Sequence, residues 1–187
     1  DFMTNLSDLL AANPDLQAPT YSEDNFTTFA DYFKGSDGDL YGVPMEAFLK
    51  VYLYRTDLFN DPAIQAAFKA KTGHDLKPAT NHDDYSEIAH FFTAYGEAND
   101  MDLWGTTAQA HTGHVASWYE YYESIAPTFG VYNWGIDSDN NYAASVANGG
   151  RMNSAAAKAA MQWWLDMRDI APPESPASTW TEVGTTF

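Results

Sequence analysis

Residues 38–62 read GDLYGVPMEAFLKVYLYRTDLFNDP, and the fold is decided by how this stretch is parsed. A turn signal, Gly35-Ser-Asp-Gly38, opens onto a short apolar run over residues 40–45 that is broken by Pro44. A second apolar and aromatic run covers residues 48–54. The stretch closes on Asp61-Pro62, where Asp caps a helix and Pro takes its first position. Two strand-like runs around a proline, followed by a helix start, describe a chain crossing between layers or lobes.

Working outward, residues 1–33 read as helix and loop. Phe2, Leu6, Leu9 and Leu10 share one face ended by Asn13-Pro14, and Tyr21, Phe26, Phe29 and Phe33 mark a second short helical stretch. This part holds too little apolar material to bury itself alone. Downstream, a helix from Pro62 turns Ile64, Ala67 and Phe68 inward and stops at Gly73. Thr80-x-x-Asp83 resembles a capping box ahead of Tyr85, Ile88, Ala89, Phe92 and Tyr95, with Gly96 as the expected end. Residues 101–107 (MDLWGTT) are a strand candidate. Val115, Trp118, Tyr119, Tyr122 and Ile125 follow helical spacing, and residues 137–150 read as a polar loop. Asn153 or Ser154 caps the clearest helix, whose inward face carries Ala157, Ala160, Met161, Trp164 and Leu165 before Pro172-Pro173.

Composition narrows the function classes. The 187 residues are 45% hydrophobic, enough for one good core, and 16% aromatic, more than a core alone needs. A formal net charge of −17 argues against nucleic acid and anionic membrane surfaces. With no cysteine, disulfides, thiolate nucleophiles and cysteine-ligated zinc are excluded. No cofactor motif is present. His111-x-x-His114 lacks the four-residue helical spacing of a zinc pair and has no third ligand at motif spacing, so no metal is expected. His74, His82 and His90 read as surface or cap residues. Glu120 and Glu123 read as a solvated helix side, which leaves Glu46 as a lone carboxylate rather than half of an acid/base pair. What remains is aromatic and polar residues at loop and helix ends, among them Phe48, His114, Trp118, Asn133 and Trp134, the chemistry that holds sugars.

The motifs, taken in order, resemble a family. Residues 38–59 are similar to the "Gk-YGvP … lyYrkdlF" segment of extracellular solute-binding proteins of carbohydrate ABC transporters, the maltose-binding-protein-like group. Pro78-Ala-Thr80-Asn-His-Asp83 resembles that family's "P-x-T-W-x-E" helix start, although Asn81 stands in place of the tryptophan. Met152-Asn153-Ser154 through Pro172-Pro173, then Thr179-Trp180-x-Glu182 up to Phe187, resemble later segments in the same order.

The resemblance implies an α/β fold of the periplasmic-binding-protein-like type II. This chain would be a central piece: mostly the second lobe, with several helices packed on a short mixed sheet. Residues 1–46 would end the first-lobe excursion and residues 47–187 form most of the second lobe, with a hinge crossing at residues 44–48. Two such lobes close on a solute and deliver it to membrane permease subunits. The implied partners are a sugar or polyol and that permease, for a monomeric, exported, periplasmic or cell-surface protein whose signal peptide lies outside this chain. The implied ligand contacts are Glu46, Phe48, His111, His114, Trp118, Asn133 and Trp134. No catalysis is expected. A carbohydrate hydrolase and a fragment without a ligand of its own are the competing readings.

Overall fold

The computed structural model describes residues 2–45 and 50–187. It divides into two compact units, Asp1–Val51 and Tyr52–Phe187. The expected boundary at 46/47, the greater part of the hinge crossing, and Glu46 and Phe48 fall on residues outside those described.

The first unit is small and loosely filled. Helix α1, Leu6–Ala12, starts where the Asn5 side chain accepts from the Asp8 amide, and none of its residues is buried. Short 3₁₀ turns follow at Pro14–Leu16, Glu23–Asn25 and Thr28–Phe33. Among the described residues only Ala30 and Leu40 of this unit are buried. The strand expected over residues 40–45 reduces to one antiparallel bridge, Lys34 with Leu40. Polar contacts hold the rest: the Leu6 amide donates to the Leu40 carbonyl at 2.8 Å, and Asn5 Nδ2 donates to Asp39 at 2.7 Å.

The second unit carries the hydrophobic material. Helix α2, Thr56–Phe59, leads into α3, Pro62–Thr72. Asp61 Oδ1 caps α3 by accepting from the Ala63 and Ile64 amides at 2.7 and 3.1 Å, with Pro62 at its first position. Gly73 ends it at φ 86°, a left-handed conformation that favours glycine. Helix α4, His82–Ala98, is capped one residue later than the sequence suggests: Asn81 accepts from the Asp84 amide, and Asp84 reaches back to the Thr80 hydroxyl at 2.8 Å. Phe59, Ile64, Phe68, Leu76, Ile88, Phe91 and Phe92 form the core between these helices. Phe68 is fully enclosed, with Phe91 set edge-on at 5.0 Å.

Gly96 does not end α4. It lies inside the helix, where a Cβ would sit 2.5 Å from the Leu103 carbonyl oxygen. Gly105 approaches closer still, its Cβ position 1.8 Å from the Ala89 carbonyl oxygen. These two glycines let the segment after α4 run back against the helix. The strand expected over residues 101–107 does not form: the Leu103 amide turns back to the Met101 carbonyl at 2.9 Å, the chain bends at Gly105, and the segment joins no ladder among the described residues.

Helix α5, Ala116–Tyr119, passes into a π-helical turn over Glu120–Ile125 and a 3₁₀ turn over Ala126–Phe129. The loop expected at residues 137–150 instead contains the one sheet of the described residues, β1 (Ile136–Asp137) antiparallel to β2 (Ala143–Ala144). Helix α6, Ala155–Asp169, takes Ser154 as its cap at 3.1 Å and packs Ala157 and Ala160 on Tyr121, Ile125, Ala126 and Val131. Helix α7, Trp180–Thr186, begins in a capping box of Thr179 and Glu182. Those contacts also hold the Glu182 carboxyl below its usual range. The described residues are thus helix-rich with a small two-stranded sheet, which is compatible with an α/β fold.

Candidate functional site

The site is built where the irregular segment after α4 turns into α5. The His111 and Thr112 amides donate to the Ser178 and Pro176 carbonyls at 3.1 and 3.2 Å, tying this turn to the entrance of α7. Gly113, at φ 87°, lets the turn close. His114 then acts as a local cap: its Nδ1 accepts from the Ala116 amide at 3.1 Å, which leaves the ring proton on Nε2 in the neutral form. The Ser117 hydroxyl donates to the His114 carbonyl at 3.0 Å.

The π turn sorts the rings that follow. In an unbroken α-helix Trp118, Tyr122 and Ile125 would share the inward face. The wider turn carries Tyr121 and Ile125 into the core, with the Tyr121 hydroxyl donating to the Ala157 carbonyl at 2.9 Å. Trp118, Tyr119 and Tyr122 are left exposed, Trp118 at 68%. The expected inward face is therefore corrected: Val115, Trp118, Tyr119 and Tyr122 point out. Burial raises the Tyr121 phenol above its ordinary range.

Two ring groups meet on this helix. His111 and His114 lie 5.7 Å apart, His114 packs on Trp180 at 4.9 Å, and Tyr119 approaches Trp180 at 6.4 Å. At the other end Tyr122 lies 5.3 Å from Trp134 and 4.8 Å from Tyr121. Trp134 and Trp180 are each about half exposed, at 48% and 51%. Such a wall of exposed rings with polar edges suits a flat, hydroxyl-bearing ligand, whose apolar face stacks and whose hydroxyls bond at the rim.

The structure thus joins His111 to His114 and sets Trp134 on Tyr122, with Trp118 exposed on the helix between. Asn133 serves the turn instead: its Oδ1 accepts from the Gly135 amide at 2.7 Å, and its carbonyl accepts from the Arg151 amide at 2.8 Å. Trp180, Tyr119 and Tyr122 were not among the expected contacts. Trp180 enters the sequence reading only within the Thr179-Trp180-x-Glu182 resemblance; its approach to His114 accompanies the long-range bonds between residues 111–112 and residues 176 and 178.

Glu120 is not the solvated residue expected. Its Oε2 accepts from the Gln109 amide at 2.7 Å and its Oε1 from Trp164 Nε1 at 2.9 Å, so the carboxylate clasps the segment at Gln109 to α6. His82 is likewise not a plain surface or cap residue: its ring stands edge-on to Trp163 at 4.4 Å, and burial lowers its pKa. Among the described residues no three His, Cys, Asp or Glu side chains gather as a metal site. No helix among the described residues is long and apolar enough to cross a membrane. No family model, no curated protein and no solved structure matches the chain.

Proposed function

We propose that the chain is part of a non-catalytic solute receptor that captures a sugar or polyol between two lobes of type II binding-protein architecture and passes it to the permease of an ABC importer. The observation that supports this reading is the exposed ring wall on α5 and its π turn, formed by Trp118, Tyr119 and Tyr122 and flanked by Trp134 and by Trp180 with His114. In this reading residues 52–187 supply the stacking floor for the ligand, and the His111 and His114 ring nitrogens not engaged by the backbone offer hydrogen bonds at its edge. Glu46 and Phe48 would reach the ligand from the crossing between lobes. Export to the periplasm or cell surface and a monomeric state belong to the same proposal.

A thermal-shift screen of the protein against sugars and polyols tests it. A ligand at one hundred times its Kd stabilises by about 2.7 kcal/mol. A hit should then be titrated by calorimetry against Trp118→Ala. No shift with any sugar or polyol, or equal affinity in the variant, would remove the reading.

A further inference from the structure

The two histidines at the edge of the ring wall carry opposite tautomers, dictated by the bonds of their own turn. His111 Nδ1 lies 2.9 Å from the Thr112 carbonyl oxygen. A carbonyl oxygen only accepts, so this nitrogen holds the proton of the neutral ring and Nε2 is left as an acceptor. His114 is the reverse. Its Nδ1 accepts from the Ala116 amide at 3.1 Å, so its proton sits on Nε2 and that nitrogen donates. No hydrogen bond from a described residue engages either Nε2.

Neither ring exchanges its role without losing a bond, and both are held in place. The His111 and Thr112 amides tie the turn to the Ser178 and Pro176 carbonyls, and His114 packs on Trp180 at 4.9 Å. The two ring centres lie 5.7 Å apart with planes crossed at 62°. Two hydrogen bonds that share one atom span up to about 5.6 Å, a comparable length. One small group at the common rim of the rings therefore meets a donor and an acceptor together.

That combination selects the group. A hydroxyl answers both nitrogens, its oxygen accepting from one ring and its proton going to the other. A carboxylate has no proton to give and an ammonium no lone pair, so each leaves one histidine unanswered. The Glu182 carboxylate, held by the Thr179 amide and hydroxyl, also interacts with the charge of His111, and it adds repulsion against an anionic ligand.

We infer that His111 and His114 together hold one hydroxyl of the bound solute, His114 donating to its oxygen and His111 accepting its proton, and that they restrict the ligand to a neutral sugar or polyol with a free hydroxyl at that end. The inference rests on the receptor reading above and adds to it the pair of residues that sets specificity.

Two measurements test it, the first with no ligand present. Long-range proton–nitrogen NMR of the neutral imidazoles reads which ring nitrogen is protonated. We expect Nδ1–H for His111 and Nε2–H for His114; any other pairing overturns the inference. Calorimetry then takes the tightest binder from a thermal-shift screen of hexoses, disaccharides and hexitols, together with its monodeoxy analogues. One deoxy position should weaken binding by about tenfold. The same deoxy change should cost less than about twofold in His111→Phe and in His114→Phe, because each variant has already lost half of the pair. Should His114→Phe fail to fold for want of its cap, the His111→Phe arm decides alone. An undiminished deoxy penalty in the variants, or no penalty at any position, overturns the inference and leaves the receptor reading standing. No binding by any sugar or polyol of the screen removes the receptor reading and this inference with it, whatever the tautomers.

Discussion

Glu120→Ala should cost the protein far more than a half-exposed helix carboxylate usually does. The substitution strips the acceptor from two donors at once, the Gln109 amide and Trp164 Nε1. A hydrogen bond to a charged group contributes about 1.5–3 kcal/mol. Two of them, discounted for the partial exposure of Glu120, give a loss of about 3 kcal/mol. At a urea slope of ~2 kcal/mol per molar the midpoint should fall by about 1.5 M. Glu120→Gln keeps one acceptor but must turn its NH₂ toward the other donor, so about half that loss is expected. Trp164 offers its own readout, since its indole loses a bond and its near-UV circular dichroism should change in the folded variant. A loss below about 0.5 kcal/mol for Glu120→Ala, with that signal unchanged, would refute the assignment of Glu120 as a clasp.

Trp118→Ala and Trp134→Ala should each leave the unfolding midpoint nearly unchanged, since both rings are largely solvent-facing, yet weaken a bound sugar by about tenfold or more, a loss of about 1.4 kcal/mol; calorimetric titration against circular dichroism separates the two effects. Gly105→Ala should destabilise by about 2–3 kcal/mol in urea unfolding, because the new methyl would meet the Ala89 carbonyl. His82 has its pKa lowered by burial, so the unfolded chain binds more protons below its ordinary value. The melting temperature should therefore fall as pH drops from about 6.5 toward the lowered folded value, and His82→Gln should flatten that dependence.

Local signals in the sequence were read well where the governing contacts are themselves local. Asp61-Pro62, Gly73 and Ser154 act within one helical turn, and each stands where its chemistry puts it. The cap of α4 slipped by one residue because Thr80, Asn81, Asp83 and Asp84 offer competing oxygens within five positions. Distant contacts left no such trace. Gly96 looks like a helix stop until Leu103 is seen lying against it, and Glu120 looks solvated until Gln109 and Trp164 arrive. The candidate rings were legible as residue types, but their outward aim was not, because a 3.6-residue period cannot register a widened turn.

That widened turn also sets which rings face outward by residue count rather than by ring identity. The π segment Glu120–Ile125 holds one residue more than an α-helix would need over the same length. Excising a single position there would restore ordinary winding and rotate the upstream residues by about 100° relative to the core that follows. Trp118 would then swing toward α6, and the wall would be dismantled although every aromatic side chain in it survived. Among descendants of this sequence, a one-residue deletion at residues 120–125 should be tolerated less well than replacement of any one of those rings by another aromatic.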